Sequence, residues 1–318
     1  MNHLNGVVHR TPLTTSETIN KLTGKEVYLK QENQQKTGAF KVRGATYKIS
    51  KLTKDEARRG VIAASAGNHA QGVALAATKR GIDAKIFMPE HTPRAKVQAT
   101  EGYGAKVILT GESFQEAYQA ALEEQIQARS PFLHPFDDGD VIAGQGTIAL
   151  EMLSQQPNLD TLIVPIGGGG LISGMAVAAK SLKPSIRIIG VQATGASAMY
   201  NRFYQKGAPS LQHVSTIADG IAVKQPGELT SQHIRHFVDE IMTVSDEEIA
   251  SAMIYLLERH KSLVEASGAA ALAPLLSHRL SGRSKRCGIV ISGGNMDVSK
   301  IPMIQQLAQT PIQKRILA

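Results

Sequence analysis

Apolar positions along the chain fall into two patterns. Short, β-branched runs occur at Glu26–Lys30, Gly60–Ala64, Ala84–Met88, Ala105–Leu109, Thr161–Ile166, Ile186–Val191 and Cys287–Ile291. Each predicts a strand. Between most of them the apolar residues recur every three or four positions, which predicts helices over Gln71–Lys79, Ser113–Arg129, Leu171–Leu182 and Glu247–Glu258. Thr92-Pro93 predicts an N-cap followed by a proline at the first helical position. Ser245 and Glu248 have the spacing of a capping box. Strand and helix alternate as in an α/β fold, whose parallel sheets are covered on both faces. Ligands of such sheets bind at the carboxyl ends of the strands.

Composition narrows the picture. With 318 residues, 42% hydrophobic and 19% charged, the chain is globular and long enough for one large domain or two modest ones. Cys287 is the only cysteine, which excludes an internal disulfide and cysteine-based zinc or iron–sulfur sites. The first ten residues carry no signal-peptide pattern, and no stretch reaches the roughly 18–20 apolar residues of a membrane span. A cytoplasmic protein with no membrane partner is expected. The net charge of +8 leaves open an anionic small molecule or a nucleic acid. Trp is absent and aromatics are 4%, so stacking platforms for single strands are scarce.

The candidate chemistry lies at strand ends. Thr161–Ile166 runs into Gly167-Gly168-Gly169-Gly170 and then the helical Leu171–Leu182. Strand, glycine loop and helix make a phosphate site, because backbone N–H groups converge where the helix terminus is positive. The G-x-G-x-x-G and P-loop spacings both fail, so a lone phosphate fits better than a dinucleotide or a nucleoside triphosphate. The competing reading is a tight packing turn. Lys41, beside Phe40 and small residues, can be desolvated into a nucleophilic amine, or it is a solvated surface lysine. Ser65-Ala66-Gly67-Asn68-His69 follows a strand and opens a helix, which suits a carboxylate or an ordinary cap. Ser292 follows the last strand in the same way and could meet a ring nitrogen. Weaker candidates read as structural: His233 and His236 as a solvated face, Asp137, Asp138 and Asp140 as a turn before a helix, and Cys287 as an inert core thiol.

Taken together, Gly38–Ala45, Ser65–Gly72, Gly167–Leu171 and Ser292–Asn295, in that order, resemble the pyridoxal-phosphate enzymes of fold type II, the tryptophan-synthase-β-like fold. Within that group the chain is similar to the short, catabolic-type threonine dehydratases, with the serine racemases as near relatives. His134-Pro135-Phe136-Asp137-Asp138 and Ile142–Thr147 also match the dehydratase pattern. The resemblance implies two three-layer α/β domains with mostly parallel sheets. Residues 1–46 and 141–318 would form a large cofactor domain, and residues 47–140 a small mobile domain carrying the substrate loop. It implies pyridoxal 5′-phosphate as cofactor and Lys41 as the Schiff-base lysine. Phe40 would pack on the ring, Asn68 bond the ring's 3′ oxygen, and Gly167, Gly168, Gly169, Gly170 and Leu171 cradle the phosphate. Ser292 would meet the pyridine nitrogen and Glu265 would lie near the ring. Ser65, Ala66, Gly67, Asn68 and His69 would hold the substrate carboxylate. The implied activity is β-elimination of L-threonine and L-serine to a 2-oxo acid and ammonia, by a homodimer or homotetramer.

Departures from the pattern sharpen that expectation. Ala39 stands where many relatives carry Ser, which removes a hydroxyl beside the lysine; a modest effect is expected. Ala66 stands where serine racemases carry a second, acid/base serine. A methyl group moves no proton, so dehydration is favoured over racemisation. The racemases' divalent-metal site would fall at Gln192, Ala196 and Ala198, which offer no carboxylate, so no metal is expected. Only 23 residues follow Asn295, so no C-terminal regulatory domain of the kind that senses isoleucine in the biosynthetic enzymes is expected. The alternatives are a 3-hydroxyaspartate dehydratase, a serine racemase, or a non-catalytic binder of phosphate ligands or RNA.

Overall fold

The computed structural model describes residues 2–280 and 282–308. The chain divides into two compact units. One takes in the chain up to His9 and Gln35–Gln145; the other takes in Arg10–Gln34 and the chain from Gly146 onward. Each is an α/β body. The first therefore includes the chain up to His9 and residues 35–46 and 141–145, which the sequence reading placed with the larger domain. The reason is helix packing. Helix Lys41–Lys51 lies so close to helix Asn68–Arg80 that a β-carbon on Gly72 would sit 2.9 Å from Val42 N.

The strands among the described residues are β1 (Leu13–Thr15), β2 (Glu26–Gln31), β3 (Val61–Ala64), β4 (Ala84–Met88), β5 (Lys106–Leu109), β6 (Thr161–Pro165), β7 (Arg187–Ala193), β8 (Glu240–Val244) and β9 (Arg286–Ile291). In the first unit β3, β4 and β5 form a parallel sheet in that order. Strand alternation sorts its side chains. Val61, Ala63, Ile86 and Met88 pack with Ala45, Ile49, Val73 and Ala77 of the two helices just named. Ile62, Ala64 and Phe87 face Ala121 of helix Phe114–Ala128. The sheet is thus the middle of three layers.

In the second unit the strand order is β1-β2-β9-β6-β7-β8. Only β1 with β2 is antiparallel among the described pairs. Val27, Leu29, Ile163, Ile189 and Ile289 bury one face against Ile249, Met253 and Leu256 of helix Asp246–His260. On the other face Met152 and Leu159 close over Gly288 beside Leu162.

Every strand run singled out in the sequence is a strand, with ends shifted by a residue or two. β1 and β8 were not anticipated. β1 has three residues, and β8 is an edge strand whose alternation is blurred by partly buried Met242 and Thr243. Ser245 and Glu248 form the expected capping box. Thr92-Pro93 differs from expectation: the helix spans Arg94–Gly102, and Pro93, with ψ of 131°, is itself the N-cap. Asp138 Oδ1 accepts the N–H groups of Asp140 and Val141, and Lys48 pairs with Asp138 and Asp140 at 2.8 and 3.2 Å. That trio is a capped helix start. Cys287 is buried in the core, and burial pushes its thiol up to about 12. No helix among the described residues is long and apolar enough to cross a membrane.

One buried charge in the second unit ran against the pattern. Lys30 lies within β2 with no exposed surface. Its ammonium donates to Thr11 O at 2.7 Å, Glu151 Oε2 at 2.6 Å and Gln155 Oε1 at 3.0 Å. Three donors meet three acceptors. Lys30→Met would remove the ammonium that lies 2.6 Å from buried Glu151 and should cost about 3–5 kcal/mol in denaturant unfolding, whereas Lys30→Met with Glu151→Leu should recover most of the loss.

Candidate active site

The first unit assembles Lys41 and the 65–69 loop. Lys41 opens its helix, with Phe40 as the N-cap residue. Its Nζ donates to Pro135 O at 2.7 Å and stands 5.4 Å from the Phe40 ring centroid. The residue is half-buried and its amine is held by that carbonyl. Ser65 to Gly67 connect β3 to helix Asn68–Arg80, and Gly67 is its N-cap. The Ser65 N–H continues the sheet ladder to Phe87 O, and the Gly67 N–H is taken by Ser65 Oγ at 3.2 Å. Accepting that bond leaves the Ser65 hydroxyl proton to donate. Ala66 is partly buried against the core. Gly72 is what brings the two segments together, because a β-carbon there would also lie 3.0 Å from Lys41 C.

Two histidines flank the lysine in this unit. His69 Nε2 lies 2.8 Å from Leu133 O. A carbonyl only accepts, so Nε2 carries the proton. Burial, then the Lys41 charge, lowers the His69 pKa to about 3, so the ring is neutral with a bare Nδ1. His134 Nδ1 accepts from the N–H groups of Phe136 and Asp137 at 3.3 and 2.7 Å. Burial also pulls His134 below the ordinary value.

The second unit assembles the glycine loop, Glu265 and Ser292. The loop joins β6 to helix Gly170–Leu182, one residue earlier than predicted. Gly168, Gly169 and Gly170 are buried, as is Leu171. β6 and β9 are neighbours in the sheet, so the loop and Ser292 leave the same edge, at the carboxyl ends of two parallel strands. Glu265 caps helix Ala266–Ala269, and its N–H donates to Gly293 O at 3.1 Å. A β-carbon on Gly268 would lie 2.2 Å from Gly293 O, so only glycine allows this approach. Ser292 Oγ reaches Ser267 O at a long 3.4 Å.

Residues 4–293 match the family of pyridoxal-phosphate dependent enzymes. The chain belongs to this family. It is 50% identical over 301 residues to an L-threonine ammonia-lyase of Thermotoga maritima, covering 95% of this chain and 75% of that one. It is 48% identical over 298 residues to the catabolic L-threonine dehydratase TdcB of Staphylococcus aureus, covering 92% of this chain and 86% of that one. Among solved structures, threonine deaminase isoform 2 of Solanum lycopersicum superposes with a TM-score of 0.91 at 37% identity, covering 95% of this chain and 89% of that one. Maize serine racemase superposes with a TM-score of 0.90 at 39% identity, covering 96% and 95%.

The pyridoxal-phosphate enzyme reads sensibly against the residues present. At Gly169, φ is +97° and a β-carbon would lie 2.9 Å from Thr230 Cβ, so the loop has its backbone, and no side chain, to offer an anion. The buried Ser267 hydroxyl has no hydrogen-bond partner, and Ser292 is held only loosely. These are polar groups that a bound ring or its waters would satisfy. Ser267, Thr230, Gly72 and Gly268 escaped the sequence reading. Gly72 lay inside the quoted segment Ser65–Gly72, and Ser267 and Gly268 lay in the segment Val264–Gly268 around Glu265, but none of the three was given a role; nothing local marked Thr230. Gln192 is fully buried, and its Oε1 accepts from Tyr200 N at 2.8 Å. His233 Nδ1 lies 2.8 Å from Leu229 O, one turn back on its own helix.

His69 generates a pH prediction. Its folded pKa lies below the unfolded value, so the unfolded chain binds the extra proton first. The stability linked to His69 is complete above about pH 6.5 and drains as pH falls toward 3. Urea unfolding of wild type should weaken through this window, and His69→Gln, a neutral donor to Leu133 O, should flatten part of the slope. An unchanged slope would contradict the buried neutral assignment.

Proposed function

We propose that this pyridoxal-phosphate enzyme is an L-threonine ammonia-lyase that also accepts L-serine, releasing 2-oxobutanoate or pyruvate with ammonia. The observation that carries the reading is the 50% identity, over 95% of the chain, to the Thermotoga maritima protein of that name. The reading takes the protein to be cytoplasmic and a homodimer or homotetramer, on family resemblance.

Residue roles follow from the chemistry available. When bound, the cofactor supplies an electron sink for the pair released at the substrate Cα. Lys41 would hold it covalently and, once displaced by the substrate amine, would take the Cα proton on its Nζ. The Pro135 carbonyl is an acceptor that steadies that ammonium. Gly167–Leu171 would hold the phosphate on backbone N–H groups at a helix start. Asn68 and Phe40 would orient the ring. Ser292 would offer the pyridine nitrogen a neutral hydroxyl, with Glu265 close by. In the 65–69 loop, Ser65 would give its hydroxyl proton to the substrate carboxylate. The Ser65 and Gly67 N–H groups are already engaged within the unit, and those of Ala66 and His69 would add to the Ser65 hydroxyl.

Reaction choice rests on Ala66. Elimination needs one base on one face, while racemisation needs a proton relay on both. Ala66 has only a methyl group to present. The serine racemase likeness, at 39% identity for the maize protein, keeps racemisation as the second reading.

Two experiments test the proposal. Borohydride reduction of the holoenzyme followed by peptide mapping should place the pyridoxyl group on Lys41, and a label on another lysine would remove that assignment. A chiral assay with L-serine should give pyruvate and ammonia with little D-serine. D-serine formed as fast as pyruvate would favour the racemase.

A further inference from the structure

We propose that Thr230 is a positioning residue for the glycine loop, turning a backbone N–H of the loop toward the cofactor phosphate. The proposal rests on the reading of Gly167–Gly170 as the phosphate cradle. Thr230 lies in the first turn of helix Glu228–Phe237 and is fully buried. Its Oγ1 lies 2.7 Å from Gly168 O and 3.2 Å from Gly227 O. A hydroxyl has one proton, so the shorter contact takes the larger share of it.

The C=O and N–H of one trans peptide point in opposite directions. Tying Gly168 O to Thr230 therefore sends the Gly169 N–H away from helix Glu228–Phe237. That helix is the wall on which the loop leans. A β-carbon on Gly169 would lie 2.9 Å from both Thr230 Cβ and Ile234 Cδ1, and 3.0 Å from Met199 Cε. The three atoms nearest that position are all carbon, so an anion finds its donors on the loop's other side. Ser173 Oγ also reaches Thr230 O at 3.3 Å, which ties the helix after the loop to the same residue. Four successive glycines offer little resistance to a peptide flip. A flipped 168–169 peptide would present a carbonyl oxygen to the phosphate, and the contact would turn repulsive. Thr230 holds the productive orientation without touching the cofactor.

The test compares two ligands that differ only in the phosphate. The full-length chain, freed of cofactor, is titrated with pyridoxal 5′-phosphate and with pyridoxal, following the visible absorption of the bound form. Thr230→Val keeps the shape and removes the donor. It should lower affinity for pyridoxal 5′-phosphate about tenfold and that for pyridoxal by less than about twofold. Thr230→Ser should restore the wild-type ratio of the two affinities. Equal losses for both ligands, or a Ser variant that behaves like Val, would overturn the proposal. If Thr230→Val does not fold, Thr230→Ala is held to the same unequal loss. Gly168→Asp beside Gly168→Asn separates this inference from the cradle reading. If Asp keeps the discrimination between the two ligands, the cradle reading fails. If Asp loses it and Thr230→Val does not, the cradle stands and the role of Thr230 is refuted.

Discussion

Backbone lying directly against backbone, with no β-carbon between, is the constraint on which both halves of the chemistry depend. At Gly72 it lets the helix that follows the 65–69 loop settle on Lys41 and Val42. At Gly268 it lets the segment carrying Glu265 and Ser267 settle on Gly293, next to Ser292. An added methyl group at either place would meet main-chain atoms, which cannot rotate aside as a side chain can. Packing this tight sets the groups rigidly, and a site that must orient a reacting amine gains from that rigidity.

Charge is handled by the same economy. The Lys41 amine is held by a neutral carbonyl, His69 beside it is kept uncharged by burial and by the lysine, and burial also lowers the pKa of His134. Lys30 shows the contrast: it is closed in by Glu151, Gln155 and Thr11 O.

The comparisons and the geometry bear on different questions. Matching over residues 4–293 establishes the family, and the named relatives point to threonine. They also include a racemase on the same fold at nearly the same identity as the threonine deaminase. Fold likeness of this order does not separate the two reactions. What separates them chemically is whether both faces of the substrate carbon have a group able to carry a proton, and at residue 66 this chain has a methyl group.

The strands at 26, 61, 84, 106, 161, 187 and 286 were legible because buried parallel strands are runs of β-branched and apolar residues. The glycine loop, the 65–69 turn and Lys41 were legible because their chemistry is written in consecutive residues. The sequence alone therefore determined an α/β protein with a glycine loop after a buried strand and a candidate lysine, and the family resemblance joined them to one cofactor. Only the tertiary structure decided that β9 inserts between β2 and β6, so that Ser292 and the glycine loop leave the same sheet edge. It also decided that residues 35–46 belong to the same unit as the 65–69 loop, that Lys30 is buried, and that Thr230 reaches Gly168. These facts join residues tens to hundreds of positions apart. Local pattern reports which face of an element is apolar, but the partner that covers that face is chosen by packing and hydrogen bonding across the whole unit.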